Sequence, residues 1–370
     1  MNGWAFHNPV RVRFGRDALD DIGDVLAGRT YVLVTYGEDP FPAFAQRIAA
    51  VAGPALVVYD SISPNPDVRL LEDLCTRLGT LDTMPEVIVA LGGGSVMDSA
   101  KALAASHGDW QRVARRLADG TVQDVAALPI VAIPTTSGTG SEVTCWATVW
   151  DPEADRKLSL AGEDLYPQAV LVDPGLVAGL PWGVTLVSGL DALSHALESL
   201  WNVNANPITR GLAIQAIRDI RTGLRRLRQD LDDAEARDLM SLGSLRAGLA
   251  FSNTRTALAH NISYPVTLRH GVAHGIACSF CLPDVMTAAI GTDTQCDAAL
   301  VEVFDDLQEA PERLRAFLQE LGVDSNPSTY GIDNAQWRAI VADAFVGERG
   351  RNFIGHIDRF PFHDTARRCA

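Results

Sequence analysis

The sequence predicts an α/β N-terminal domain built on a parallel sheet, followed by an all-α C-terminal domain. Three observations carry this. Short β-branched runs alternate with helical periodicities through the first half of the chain, and one run passes through a Gly-rich loop straight into a helix. Clear strand signals then stop near residue 182, where long helical patterns take over. With 370 residues, 47% of them hydrophobic, the chain can fill two domains, 1–180 and 181–370.

RTYVLVTYG, GPALVVYD, EVIVALGGG and LPIVAIPTT read as strands, each ending in turn or Gly-rich residues, and KLSLAGEDLYPQAVLVDPGLV adds strand character near 157–173. Between them PFPAFAQRIAAVA, NPDVRLLEDLCTRLG and DSAKALAASHGDWQRVARRLA have helical periodicity. After DPGLVAGLPWGV the helices include VTLVSGLDALSHALESLW, ITRGLAIQAIRDIRTGLRRL, EARDLMSLGSLRAGLAFS and APERLRAFLQELG. A ligand is expected between the two domains.

The net charge of −15, with no basic run to offset it, argues against a nucleic-acid or anionic-membrane partner. No apolar run reaches the ~18 residues of a membrane span, and the N-terminus does not read as a signal peptide. Cysteines 75, 145, 278, 281, 296 and 369 form no disulfide framework, which fits a reducing cytoplasm. Cys278 and Cys281 make a CxxC, but neither a second CxxC nor a His pair follows at zinc-site spacing. ACSFCLPDVM is therefore read as a buried helix.

In EVIVALGGGSVMDSAKALA, Gly92, Gly93 and Gly94 allow close backbone approach to a phosphate, and Ser95 opens the helix behind them. PTTSGTGSEVT at 134–144 follows the next strand with hydroxyls suited to phosphate or ribose. Asp191 and His195 are spaced i, i+4 and share a helix face. That face, with Glu198, lies opposite a Leu190, Leu193, Leu197, Leu200 stripe, and taken alone it reads as solvent-facing. His260, His270 and His274 fall within fifteen residues. One carboxylate with imidazoles is a donor set for a divalent metal, and His195, His260, His270 and His274 compete for three places in it.

Taken together, these motifs resemble the iron-containing (group III) alcohol dehydrogenase family, whose relatives include glycerol dehydrogenase and dehydroquinate synthase. SPNP at 63–66, GGGSVMDSAK at 92–101, PTTSGTGSEVT, Lys157, VDP at 172–174, GLDALSHALE at 189–198 and HGVAHG at 270–275 occur in the family's order over nearly the whole chain. The resemblance implies a Rossmann-like first domain in a dehydroquinate synthase-like architecture. It implies metal ligands at Asp191, His195, His260 and His274, leaving His270 outside the shell. It places cofactor contacts at Gly93, Gly94, Ser95, Asp98, Thr135, Thr136, Thr139, Ser141 and Lys157. Iron is the metal implied first and zinc second.

Two departures from the family pattern matter. Tyr264 stands where many members carry a further His, so His270 or Tyr264 becomes the candidate proton relay. Tyr36 and Gly37 stand where NAD-preferring members place an Asp on the adenosine ribose, so either NAD(H) or NADP(H) is expected. The expected reaction interconverts a small aldehyde and its primary alcohol in a homodimer. Polyol oxidation and a dehydroquinate synthase-type lyase reaction are the alternatives. TALAHNISYPVTLRHGVAHG also resembles a subgroup of phosphonate metabolism, which implies reduction of phosphonoacetaldehyde to 2-hydroxyethylphosphonate. Arg255 and Arg269 are then candidate contacts to a dianion.

Overall fold

The computed structural model describes residues 3–120, 125–154 and 156–362. Cys369 lies outside them. Two compact units are present.

The first unit, Pro9–Gly179, holds all the named strands of the described residues. β1 (Arg11–Phe14), β8 (Ala169–Val172), β5 (Ile130–Pro134), β4 (Val87–Gly92), β2 (Tyr31–Val34) and β3 (Val58–Tyr59) form one parallel sheet in that order. β2, β4, β5 and β8 are buried throughout, which is why they read as unbroken apolar runs. Val87, Val89 and Leu91 share a core with α1 (Ile22–Leu26) and α2 (Phe41–Ala52). α3 (Val68–Gly79), α4 (Gly94–Ser106) and α5 (Trp110–Asp119) join a second core with an antiparallel hairpin, β6 (Trp146–Asp151) and β7 (Arg156–Ala161). The single helical pattern expected over 98–118 is broken between α4 and α5, where His107 takes a left-handed backbone.

The second unit begins at Leu180 and is helical. Its helices are α6 (Trp182–Leu200), α7 (Pro207–Gln229), α8 (Ala234–Thr254), α9 (Leu258–His270), α10 (His274–Ser279), α11 (Leu282–Ala289), α12 (Thr294–Phe304), α13 (Ala310–Glu320) and α14 (Asn334–Val346). Asn206 starts α7 and Asp333 starts α14 through reciprocal capping boxes. ACSFCLPDVM is buried, but as two short helices with a break at Phe280–Cys281.

Residues 3–8 depart from the expected division at 180, because they belong to the helical unit. The His7 N–H donates to Asn253 Oδ1 at 2.8 Å, Asn8 Nδ2 to Ser252 Oγ at 3.2 Å, and Asn206 Nδ2 to the Ala5 carbonyl at 3.3 Å. No helix among the described residues is long and apolar enough to cross a membrane.

Candidate metal centre and dinucleotide loop

In α6 every residue from Gly189 to Leu200 is buried. The polar face predicted to meet solvent instead turns inward, because α8, α9 and α10 cover it. The His195 ring stacks on Phe251 of α8 at 4.0 Å and on His260 of α9 at 4.6 Å. Asp191 Oδ1 lies 3.8 Å from His195 Nε2, 3.4 Å from His260 Nε2 and 3.7 Å from His274 Nε2. Donors on adjacent corners of a tetrahedral shell stand about 3.3–3.5 Å apart, given metal–ligand bonds of ~2.0–2.1 Å. Asp191 Oδ1 and His260 Nε2 are buried and hydrogen-bond to no described residue. A buried carboxylate oxygen and imidazole nitrogens gathered about one point, with no well-formed hydrogen bond among the described residues, are groups that a cation can satisfy.

Glu198, which sequence reasoning left as one more polar residue, is fully buried and accepts from the backbone N–H groups of Ala257, Ala259 and His260. Its Oε2 lies 2.7 Å from His260 Nδ1. A carboxylate on Nδ1 fixes the tautomer that leaves the Nε2 lone pair free for a metal. Burial opposes ionisation of Glu198, yet His260 and these N–H donors keep its carboxyl below the ordinary range. Burial likewise opposes ionisation of Asp191, but the surrounding imidazoles hold it well below its usual value. Burial brings His195 down to about 4, so it is neutral and able to donate an electron pair.

Asp191, His260 and His274 also share a compact donor group with Cys278, all four ligand atoms lying within 4.8 Å of one another. Cys278 is buried, as expected of this segment, and lies against the donor group. Burial alone would raise its thiol, but His260 and His274 bring it down to about 6. The sequence signal was the i, i+4 spacing from His274, which repeats that of Asp191 and His195. Gly275 allows this placement, since a Cβ there would stand 1.9 Å from the Val187 carbonyl of α6.

His270 lines a cleft of about 450 Å³ with Tyr264, Arg269, Asn261 and Asp343. The Tyr264 ring stacks parallel to His274 at 6.4 Å, and the Arg349 guanidinium lies 4.9 Å from the Tyr264 ring. Arg255 does not line this cleft; it is exposed at the end of α8 with φ +63°. Arg349, 85 residues beyond Tyr264 in the chain, has no local sequence signal of its presence here.

In the first unit, Gly93 caps α4 at the end of β4. A Cβ on Gly94 would stand 2.8 Å from Thr139, and one on Gly93 would stand 3.4 Å from Thr136 and 3.8 Å from the Tyr36 hydroxyl. The Gly loop, Tyr36 and the hydroxyl loop are thus one cluster, and Tyr36 interacts with Ser95. The Thr135 N–H donates to the Gly92 carbonyl. Ser141 is buried and Asp98 half-buried, and each is held by protein. Asp98 accepts from Ser141 Oγ and the Thr148 N–H at 2.9 Å, while Lys101 Nζ donates to Ser141 and to the Trp146 carbonyl. Lys157 lies 5.6 Å over the Trp150 ring on the hairpin. Beside Gly37, where the β2 strand end lacks an acid, the neighbouring strand end brings in Asp60: a Cβ on Gly37 would stand 3.8 Å from the Asp60 carboxyl carbon.

A parallel sheet with a glycine loop, and a helical unit carrying a buried carboxylate–imidazole cluster, define a metal-linked dehydrogenase. Residues 9–174 match the model of the iron-containing alcohol dehydrogenases, and residues 185–354 match that of the C-terminal domain of the same family. The chain belongs to the iron-containing alcohol dehydrogenase family and is an aldehyde/alcohol oxidoreductase. It is 30% identical over 278 residues to the sulfoacetaldehyde reductase of Bilophila wadsworthia, covering 71% of each chain. It is 34% identical over 259 residues to the phosphonoacetaldehyde reductase of Streptomyces viridochromogenes, covering 64% of this chain and 66% of that one. The structure of sulfoacetaldehyde reductase from Bifidobacterium kashiwanohense in complex with NAD+ superimposes with a TM-score of 0.88 at 28% identity, covering 96% of both chains.

Proposed function

We propose that this protein reduces a small aldehyde with an anionic head group, of the phosphonoacetaldehyde or sulfoacetaldehyde kind, to its primary alcohol with NADH. The observation that carries the metal part of this reading is the convergence of Asp191 Oδ1 and His260 Nε2, both buried and unbonded, with His195 and His274 beside them. When bound there, a divalent ion supplies Lewis acidity to a carbonyl oxygen. Iron fits this set, as the family name implies.

The chain's own residues do the rest. Glu198 orients His260. Gly93, Gly94, Ser95, Thr136 and Thr139 cradle the cofactor pyrophosphate at the start of α4, with Thr135, Asp98 and Ser141 fixing that loop from behind. Lys157 meets a cofactor hydroxyl. Tyr264, beside His274, passes a proton to the product oxygen, with His270 in the adjoining cleft as its exit toward solvent. Arg349 and Arg269 receive the anionic head, Arg349 being the nearer to His274 through Tyr264. Asp60 favours NADH, because a carboxylate at the ribose edge repels a 2′-phosphate.

The protein works as a homodimer in a reducing cytoplasm. β1 is an edge strand with exposed Val12 and Phe14, a face that a second copy can cover, and the five described cysteines are free.

The test is an aldehyde panel on metal-quantified protein, with phosphonoacetaldehyde, sulfoacetaldehyde and uncharged propionaldehyde, each run with NADH and NADPH. The anionic aldehydes should give the highest kcat/KM, and NADH the higher activity. Loss of one charge-assisted contact costs about 1.5–3 kcal/mol, so Arg349→Met should lower kcat/KM for the anionic substrates by roughly 10–150-fold and leave propionaldehyde unchanged. Equal losses on all three aldehydes would overturn the anion reading. His260→Ala should abolish both metal content and turnover, and a metal-free preparation working at full rate would overturn the metal reading.

A further inference from the structure

We infer that Phe251 is a positioning residue of the metal centre: its ring face, in place of a hydrogen bond, sets the orientation of the His195 imidazole. This rests on the metal reading above and leaves Asp191, His195, His260 and His274 as the donors.

His195 and His260 are held by different means. His260 has a carboxylate on Nδ1, since Glu198 Oε2 lies 2.7 Å away. His195 has no such partner. Its Nδ1 is buried without a hydrogen bond to any described residue, and its Nε2 stands 3.8 Å from Asp191 Oδ1, beyond hydrogen-bond reach. The torsion that turns a histidine ring about its Cβ–Cγ bond has only a broad preference of its own, so something else must hold this ring. Its faces supply the answer. The Phe251 ring lies 4.0 Å from it at an interplanar angle of 10°, and the His260 ring lies 4.6 Å from it at 15°. Stacking fixes the plane of the imidazole, and the nitrogen lone pair that a metal takes lies in that plane.

Phe251 is itself firmly placed. It is 3% exposed, on the last full turn of α8. One turn further along both helices, the hydroxyls of Thr254 in α8 and Ser199 in α6 lie 3.1 Å apart, and Ser199 Oγ donates to the His195 carbonyl at 2.8 Å. Residues 3–8 brace the same turn of α8 through Ser252 and Asn253. Two helices are thus pinned together one turn from the stack. Glu198 orients one imidazole by charge, and Phe251 orients its neighbour by shape.

The test measures Zn2+ affinity of the full chain, stripped of metal, by titration calorimetry and by competition with a chromophoric chelator. Phe251→Leu keeps an apolar side chain and removes the ring face, and should weaken Zn2+ binding roughly 2–10-fold, the worth of one aromatic pair. His195→Ala keeps three donors and binds Zn2+ more weakly. Adding Phe251→Leu to His195→Ala should weaken it no further, because the ring to be positioned is gone. A side chain that only fills the core would weaken binding equally in both backgrounds, and that result overturns the assignment. Unchanged affinity in Phe251→Leu overturns it too, and in either case the metal centre stands. A wild type that takes up no Zn2+ overturns the metal centre itself. Circular dichroism of the metal-free chains identifies misfolding, and where Phe251→Leu does not fold, Phe251→Met decides the same comparison.

Discussion

Glu198 touches no substrate in any scheme above, yet it is the residue on which His260 depends. Replacing it with Gln keeps the shape and removes the charge, so Glu198→Gln should weaken metal affinity by about 10–100-fold, read by competition with a chromophoric chelator. Unchanged affinity would mean that Glu198 only caps α9. Glu142 makes a different prediction. Burial pushes its carboxyl up to about 7 against the pull of Lys101. A carboxyl that releases its proton near 4.5 when unfolded, but only near 7 when folded, stabilises the fold fully below pH 4.5. That contribution is lost as pH rises through 7. Glu142→Gln should therefore flatten the fall in apparent Tm between pH 4.5 and 7, and a profile parallel to the wild type's would refute this. At this scale the sequence made the donor types and their i, i+4 spacings readable. Glu198 escaped because a polar residue on a helix has a bland reading that only burial against a histidine replaces.

At the scale of elements, two contacts hold the sites together. Gly275 lets α10 approach α6 so closely that any side chain would strike the Val187 carbonyl. Gly275→Ala should displace His274 from Asp191, and metal content measured on folded protein should drop sharply while helix content stays. Full metal content in that variant would show that α10 can shift without cost. In the other unit, buried Lys101 ties α4 to the hydroxyl loop and to the start of β6. Lys101→Met strands two carbonyls and removes the cation that helps keep half-buried Asp98 ionised, and should cost about 3–5 kcal/mol in urea denaturation. The buried strands β2, β4, β5 and β8 were legible because sheets covered on both faces demand continuous apolar runs. β1 and β6 were not. RVRF is charged and exposed, and β6 alternates in burial but carries Trp146 and Trp150 on its outer face, which hides the period. His107, in a helical pattern, hid the break between α4 and α5.

For the whole molecule, the alternation of strands and helices followed by helices alone was enough to give the architecture, because layer packing leaves few alternatives. Each unit has its own core, so metal should act locally. Hydrogen exchange with and without chelator should show lost protection in peptides from α6, α9 and α10, and none in Pro9–Gly179. Equal loss in both units would show that the two unfold as one.

Nothing in MNGWAFHN announced which unit residues 3–8 would join. Their attachment sets a clock on the making of the protein. His7 leaves the ribosome first, but Asn253 follows it by 246 residues. At ~5–20 residues per second the opening segment waits some ~12–50 s for its seat. Pro9–Gly179, with its own core, is synthesised in full during that interval. A tag fused ahead of residue 3 would therefore burden the helical unit and not Pro9–Gly179.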